Sequence, residues 1–411
     1  MEDAVGGYLK LGLRIGRLVP GFVDAWFGDS RLAAEVDTEP SPDPADLCAQ
    51  AETLLAGESL APGRQRFLTA QLRALACTAR RLIGEPITFA EELETYFDVR
   101  VELADPDRYA EVHDRIGQLL PGRGDLSHRL AAHRERDACP VSRLEEAIRT
   151  LSGALRERVR AEYGLPDGES VEYTVVTDKP WNAFNHYLGD FRSHVEINAD
   201  SGHGLSALPL LVTHEAYPGH HTDHCVKEEL LVRGQAQAEH TISLVNTPQC
   251  LIAEGAGEAA LDAVLGEGWG RWAENVLREI RLDLDGERAE LLLAQTTQLL
   301  SARQDAAILL HERGSDPEDA VAYLRRWMLV DEARARHMVR FLTDPLWRAY
   351  TSTYIEGSRL VRDWLAAAPD RAAAFGRLLR TPLLPAQLRE ETAESAPIEA
   401  PRSGQESRSA L

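Results

Sequence analysis

No run of apolar residues in this chain is long enough to span a bilayer, and its start, Met1-Glu2-Asp3, has neither a basic segment nor a small-residue cleavage site. The expectation is a cytoplasmic protein without a membrane partner. Cysteine is scarce. Cys48, Cys77, Cys139, Cys225 and Cys250 are scattered, odd in number and nowhere spaced C-x-x-C, so they read as reduced thiols rather than a disulfide framework. Positive charge is also short: 45 Lys and Arg against 66 Asp and Glu leave a formal charge of -21, which argues against nucleic acid as a partner. Core-forming residues are not lacking. With 44% hydrophobic and 27% charged residues, the 411-residue chain is a folded protein with room for two or three domain-sized units.

Apolar periodicity predicts helix almost throughout from residue 3 to about 165. A first helix carries Leu9, Leu11, Leu13, Ile15 and Leu18 and stops at Pro20-Gly21; further blocks cover 62–83 and 142–163. The pattern then changes. Residues 171–177 alternate and are rich in β-branched side chains, 181–190 read as a polar-aromatic turn, and 193–199 give a second strand. Such a strand pair offers an edge for an extended backbone. Helix returns from Leu208, with segments over 208–231, 249–265, 268–283, 287–312, 317–326, 330–341 and 345–365. These features predict a mainly α fold with a small β-element, divided into an N-terminal helical domain (1–165), a second domain (166–383) and a disordered tail (384–411).

The chemistry concentrates in His214-Glu215-Ala216-Tyr217-Pro218-Gly219-His220-His221. Imidazoles suit a borderline-soft divalent ion, and the adjacent carboxylate can take a proton from the water that ion activates. The run is close to the zincin motif H-E-x-x-H, but Pro218 stands where the second histidine belongs. Pro218 and Gly219 are suited to a bulge or helix break that would bring His220 near His214. His214 is therefore the first candidate ligand and His220 the second, with His221 as the alternative.

A third ligand is expected on a later helix. Glu254, Glu258 and Asp262 recur at i, i+4 and i+8 on one face among small neighbours, with no Lys or Arg from Leu251 to Gly270. Glu254 is the expected ligand and Glu258 a partner that orients a ligand histidine. Glu215 is then the general base, and Arg303, His311 and Tyr354 are candidate donors to a developing oxyanion.

The H-E-x-x-P-G-H-H run resembles the hallmark of the domain-of-unknown-function 885 family, grouped with gluzincin-type zinc metallopeptidases. Leu18 to Gly28, Glu254-Gly255, Arg303 to His311 with Gly314, and Tyr354-Ile355-Glu356-Gly357 resemble other segments of that family. Three positions depart from it: Ala256 replaces a usual Trp, Ala307 an Asp, and Asp223 a Gln. The resemblance implies a gluzincin-like core holding Zn2+ through His214, His220 and Glu254. Together these readings predict a zinc hydrolase, a metallopeptidase or amidase acting on short peptides or small amides. The rivals are a catalytically idle metal-binding helical module and a metalloenzyme of another class using iron or manganese.

Overall fold

The computed structural model describes residues 4–57, 60–179 and 181–395. Acidic residues begin many of its helices. Asp29, Asp43, Asp105, Asp125, Asp285, Asp316, Asp331 and Asp370 each stand at an N-cap, where the carboxylate accepts a backbone N–H of the first turn. Each such cap stabilises its helix by about 1 kcal/mol and meets the positive end of the helix dipole. Part of the negative charge is thus structural.

Among the described residues five strands are set between the helices. These are β1 (Val23–Trp26), β2 (Ser170–Val176), β3 (Ala183–Gly189), β4 (Arg192–Asn198) and β5 (Ile242–Leu244). β4 is the centre of a three-stranded sheet, parallel to β2 and antiparallel to β3. Residues 181–190, expected as a turn, therefore contain an edge strand. Asn185 and Tyr187 point inward from it, in register with Val195 and Ser193. The separate antiparallel pair β1–β5 ties the start of the chain to its middle.

That pairing matters for the domain division expected near 165, which does not coincide with a boundary in the packing. One apolar cluster joins Ala74 to Leu130 with Leu251 to Ala349. A second joins Tyr8 to Ala79 with Ile242 to Tyr350. A third gathers the long helix Val141–Tyr163, the sheet and the C-terminal helices. The expected tail also begins too early at 384. Pro385–Ser395 is a helix that buries Leu388, and Glu391 accepts from Trp364 Nε1 at 2.9 Å and Arg377 Nη1 at 2.7 Å. Residues 396–411 of that tail lie outside the described residues. No helix among the described residues is long and apolar enough to cross a membrane.

Candidate metal centre

The helix expected over 208–231 is broken at its motif. Leu208–Glu215 forms one helix and His220–Lys227 the next, followed by a π-helical turn over Glu228–Arg233. At the break, Gly219 N–H turns back to Thr213 O at 2.8 Å. A Cβ on Gly219 would stand 1.9 Å from the His214 carbonyl oxygen, so only glycine fits there. Pro218 suits the same gap because it has no N–H to leave unpaired. The extra residues are absorbed by this corner, and the His214 and His220 rings meet edge to face with centroids 4.6 Å apart.

The later helix is Pro248–Val264, with Thr247 as its N-cap. Its three acids divide their tasks. Glu254 faces both rings, Oε2 lying 3.3 Å from His214 Nε2 and Oε1 3.4 Å from His220 Nε2. Glu258 Oε1 lies 3.4 Å from His214 Nδ1, which leaves Nε2 turned toward Glu254. Asp262 pairs instead with Arg362 from a C-terminal helix. Two glycines allow this fit. A Cβ on Gly257 would stand 2.8 Å from His214 Nδ1, and one on Gly255 2.3 Å from Gly357 O.

One donor atom from each of His214, His220 and Glu254 falls within 4.8 Å of the others. Glu254 Oε2 is buried without a hydrogen-bond donor, although Oε1 accepts from Tyr350 Oη at 2.9 Å. An orphaned buried carboxylate oxygen facing two imidazole nitrogens fits a divalent cation. Burial pushes the Glu254 carboxyl up, but His220 and His214 outweigh it and hold it well below the carboxylate range.

Glu215 ends the first motif helix within electrostatic reach of His214, His220, Glu254 and Glu258; burial raises its carboxyl above the ordinary value. Its own carbonyl accepts Asn185 Nδ2 from β3 at 2.6 Å. Tyr354, on the π-helical turn Thr353–Gly357, has its ring 6.4 Å from that of His214. Arg303, its Cζ 5.8 Å from the centroid of the Phe341 ring, lies within electrostatic reach of Tyr354 and Glu258. His311 is not brought to this group. Eight residues further along the helix Ser301–His311, its Nε2 bonds Leu342 O at 2.7 Å and its ring packs on Phe89.

His221, the alternative ligand, is directed elsewhere. Fully buried, it bonds Glu169 Oε2 through Nε2 at 3.1 Å and Ser193 Oγ through Nδ1 at 2.8 Å. Glu169 also accepts from Tyr217 Oη at 2.6 Å and Arg156 Nε at 2.6 Å, so this is a structural hub behind the motif. Cys225 sits against His221, 3.5 Å from its Nε2, and not in the metal group.

Sequence reasoning missed Asp24 and Tyr350. Asp24, on β1, is close enough to His220, Glu254 and Glu215 to feel all three; burial first, then Glu254 and Glu215, push its carboxyl up to about 7 against the pull of His220. Its segment was legible as a resemblance, but its partner strand is more than two hundred residues away in sequence. Tyr350 follows the helix Glu332–Thr343 and carries no local pattern that marks it.

No curated protein matches the sequence. Among solved structures the fold is similar to a presumed lipoprotein of unknown function from Shewanella oneidensis, at 13% identity and TM-score 0.54 over 84% of this chain and 72% of that one. It is similar also to a presumed lipoprotein from Colwellia psychrerythraea, at 14% identity and TM-score 0.50, over 85% of this chain but only 66% of that protein. An M32 carboxypeptidase from Deinococcus radiodurans R1 aligns over 95% of this chain and 94% of its own, at 14% identity and TM-score 0.44. The family model described as bacterial protein of unknown function (DUF885) matches residues 72–376, most of the chain, and the protein therefore belongs to that family.

Proposed function

We propose that the chain is a zinc-dependent hydrolase of short peptides or small amides. The observation that carries this reading is the convergence of His214, His220 and Glu254, donor atoms within 4.8 Å, beside the carboxylate of Glu215. Two imidazoles and one carboxylate are the donor set of catalytic zinc sites that keep a position open. A zinc ion held there supplies Lewis acidity, lowering the pKa of water to about 7 and polarising a carbonyl.

The residues of the chain do the rest. Glu215, half-buried and raised in pKa, takes the proton from the attacking water and passes it to the departing amine. Burial, the largest influence, keeps the Tyr354 hydroxyl protonated and able to donate to the oxygen that gains charge. Glu258 fixes the His214 ring, Tyr350 donates to Glu254, and Asp24 lies within electrostatic reach of His220 and Glu254. The side chains of His214, His220 and Glu254 are only 11%, 17% and 8% exposed, which suits a small substrate better than a folded protein.

The test is metal content and hydrolysis measured together. Purified protein should carry about one zinc per chain, lost in His214→Ala and Glu254→Ala, and should cleave members of a short peptide and amide panel. A metal-loaded protein with no hydrolysis across that panel would overturn the reading.

A further inference from the structure

Arg303 stands next to this site without a partner. Tyr354, Glu258 and Arg334 lie within its electrostatic reach. Its Nε is buried and has no hydrogen-bond partner, and among the described residues no carboxylate forms an ion pair with it. The acids that might have served are engaged elsewhere. Asp305 accepts from Tyr109 Oη, Tyr323 Oη and Ala104 N at 2.7, 2.8 and 3.0 Å. Glu312 accepts from Ala90 N at 2.8 Å, and Glu258 is turned to His214. The guanidinium is held over the ring of Phe341, its Cζ 5.8 Å from the centroid.

A half-buried guanidinium without a counter-charge is costly, and burial here already weakens its hold on its proton. Arg334, exposed, adds a second positive charge within reach of Arg303, and Arg134 lies within electrostatic reach of Arg334. In a chain of formal charge -21, basic groups gathered beside a cluster of acids point to a ligand that brings its own negative charge. From the ligand Glu254 outward the order is Tyr350, whose hydroxyl donates to it at 2.9 Å, the Phe341 ring, 6.5 Å from that of Tyr350, and then Arg303. Consecutive α-carbons are about 3.8 Å apart, so a carboxylate one residue beyond a carbonyl at the metal lies on the order of one residue's length further along this line.

We infer that Arg303, with the exposed Arg334, receives the free α-carboxylate of a substrate cleaved one residue from its C-terminus. This specificity rests on the hydrolase reading; the anion seat itself does not. A planar guanidinium offers two parallel N–H donors that match a carboxylate, which an amide cannot satisfy equally. The site is thereby restricted to trimming short peptides by single residues.

Binding and turnover test the two readings separately. Calorimetry compares N-acetyl-phenylalanine with its amide on the metal-free and the zinc-loaded protein; hydrolysis compares N-acetyl-alanyl-phenylalanine with its C-terminal amide and with N-acetyl-alanyl-glutamic acid α-amide. The free acid should bind, and be turned over, about 10- to 100-fold better than the amide. That preference should collapse in Arg303→Gln, survive in part in Arg303→Lys and weaken in Arg334→Gln, whose exposed side chain is not needed for folding. Thermal melting checks that each variant is folded. Equal binding of acid and amide, or a folded Arg303→Gln that keeps the preference, overturns the inference. So does faster cleavage of the glutamic acid α-amide than of the free acid, since the charge would then belong to a side chain. Arginine-dependent acid binding without any hydrolysis sinks the hydrolase reading and leaves the anion seat standing. Hydrolysis of acid and amide alike does the reverse.

Discussion

Gly257→Ala separates metal binding from folding. The added methyl would lie 2.8 Å from both Cε1 and Nδ1 of His214 and 3.0 Å from its Cγ. Ordinary carbon contacts are about 3.5–4.0 Å, so the ring must move by roughly 0.7–1 Å. It has little freedom to do so, being held between Glu254 at 3.3 Å and Glu258 at 3.4 Å. Metal–ligand distances tolerate only about 0.2 Å, and disturbing the support of a ligand histidine lowers metal affinity about 10- to 100-fold. Stability moves little by comparison. Alanine is favoured over glycine inside a helix by about 1 kcal/mol, which offsets much of an overpacking cost of about 1–3 kcal/mol. The assay is zinc affinity by competition with a chromophoric chelator, beside thermal melting in EDTA. A variant that melts like the wild type but binds zinc tenfold or more weakly is the expected result; wild-type affinity would refute the placement of Gly257 beneath His214. Gly255→Ala should behave differently, because its methyl meets the Gly357 backbone at 2.3 Å and the fold itself should weaken.

Glu215→Gln should retain zinc stoichiometry while hydrolysis falls by about 10²- to 10⁴-fold, measured on the most active peptide; near wild-type turnover would remove Glu215 from the role of base. His220→Ala should lose the metal. His221→Ala should keep it but cost about 3 kcal/mol in urea unfolding, since it empties a buried, doubly hydrogen-bonded position, and zinc loss in that folded variant would contradict the assignment. Two buried groups should lower the stability of the metal-free protein as pH drops, His240 between 7 and 4 and Glu169 below that. Asp24, whose raised carboxyl takes its proton first in the folded state, opposes them between 7 and 4. Burial pushes His240 down from 6.5 to about 4, so the unfolded chain takes that proton first. Glu169, which burial raises but His221, Tyr217 and Arg156 pull down from 4.5 to about 2, adds the same sign at lower pH. Each contributes at most about 3 kcal/mol; in denaturant titrations an unchanged pH dependence between 7 and 4 in His240→Gln would contradict the first, and an unchanged one below 4.5 in Glu169→Gln the second.

The metal group was legible because its signals are local. His214, Glu215 and His220 lie within one short run, and the acids of the later helix repeat every four residues without basic neighbours. The choice between His220 and His221 was not legible, because it depends on where the corner at Gly219 sends the chain and on Glu169 waiting behind His221. β1 lay hidden for a related reason: four residues among helices take strand geometry only because β5 pairs with them. β3 was read as a turn from its polar and aromatic composition, although Asn185 and Tyr187 already gave it an alternating inner face. The helix Pro385–Ser395 has little apolar pattern of its own and is held by the bonds that Glu391 accepts. In each miss the deciding partner lay far away in sequence.

The pairing of β1 with β5 changes what counts as the smallest working unit. The family match begins at residue 72, yet Asp24 reaches the metal group from β1, and Phe22 and Ile15 are buried in the cluster that supports Ile242 and Tyr350. Trimming the chain to its matched segment would leave His214, His220 and Glu254 in place on paper. It would also strip β5 of its only strand neighbour among the described residues and open a wall of the site to water. The recognisable segment and the unit that assembles the candidate metal centre have different limits, and β1 accounts for the difference.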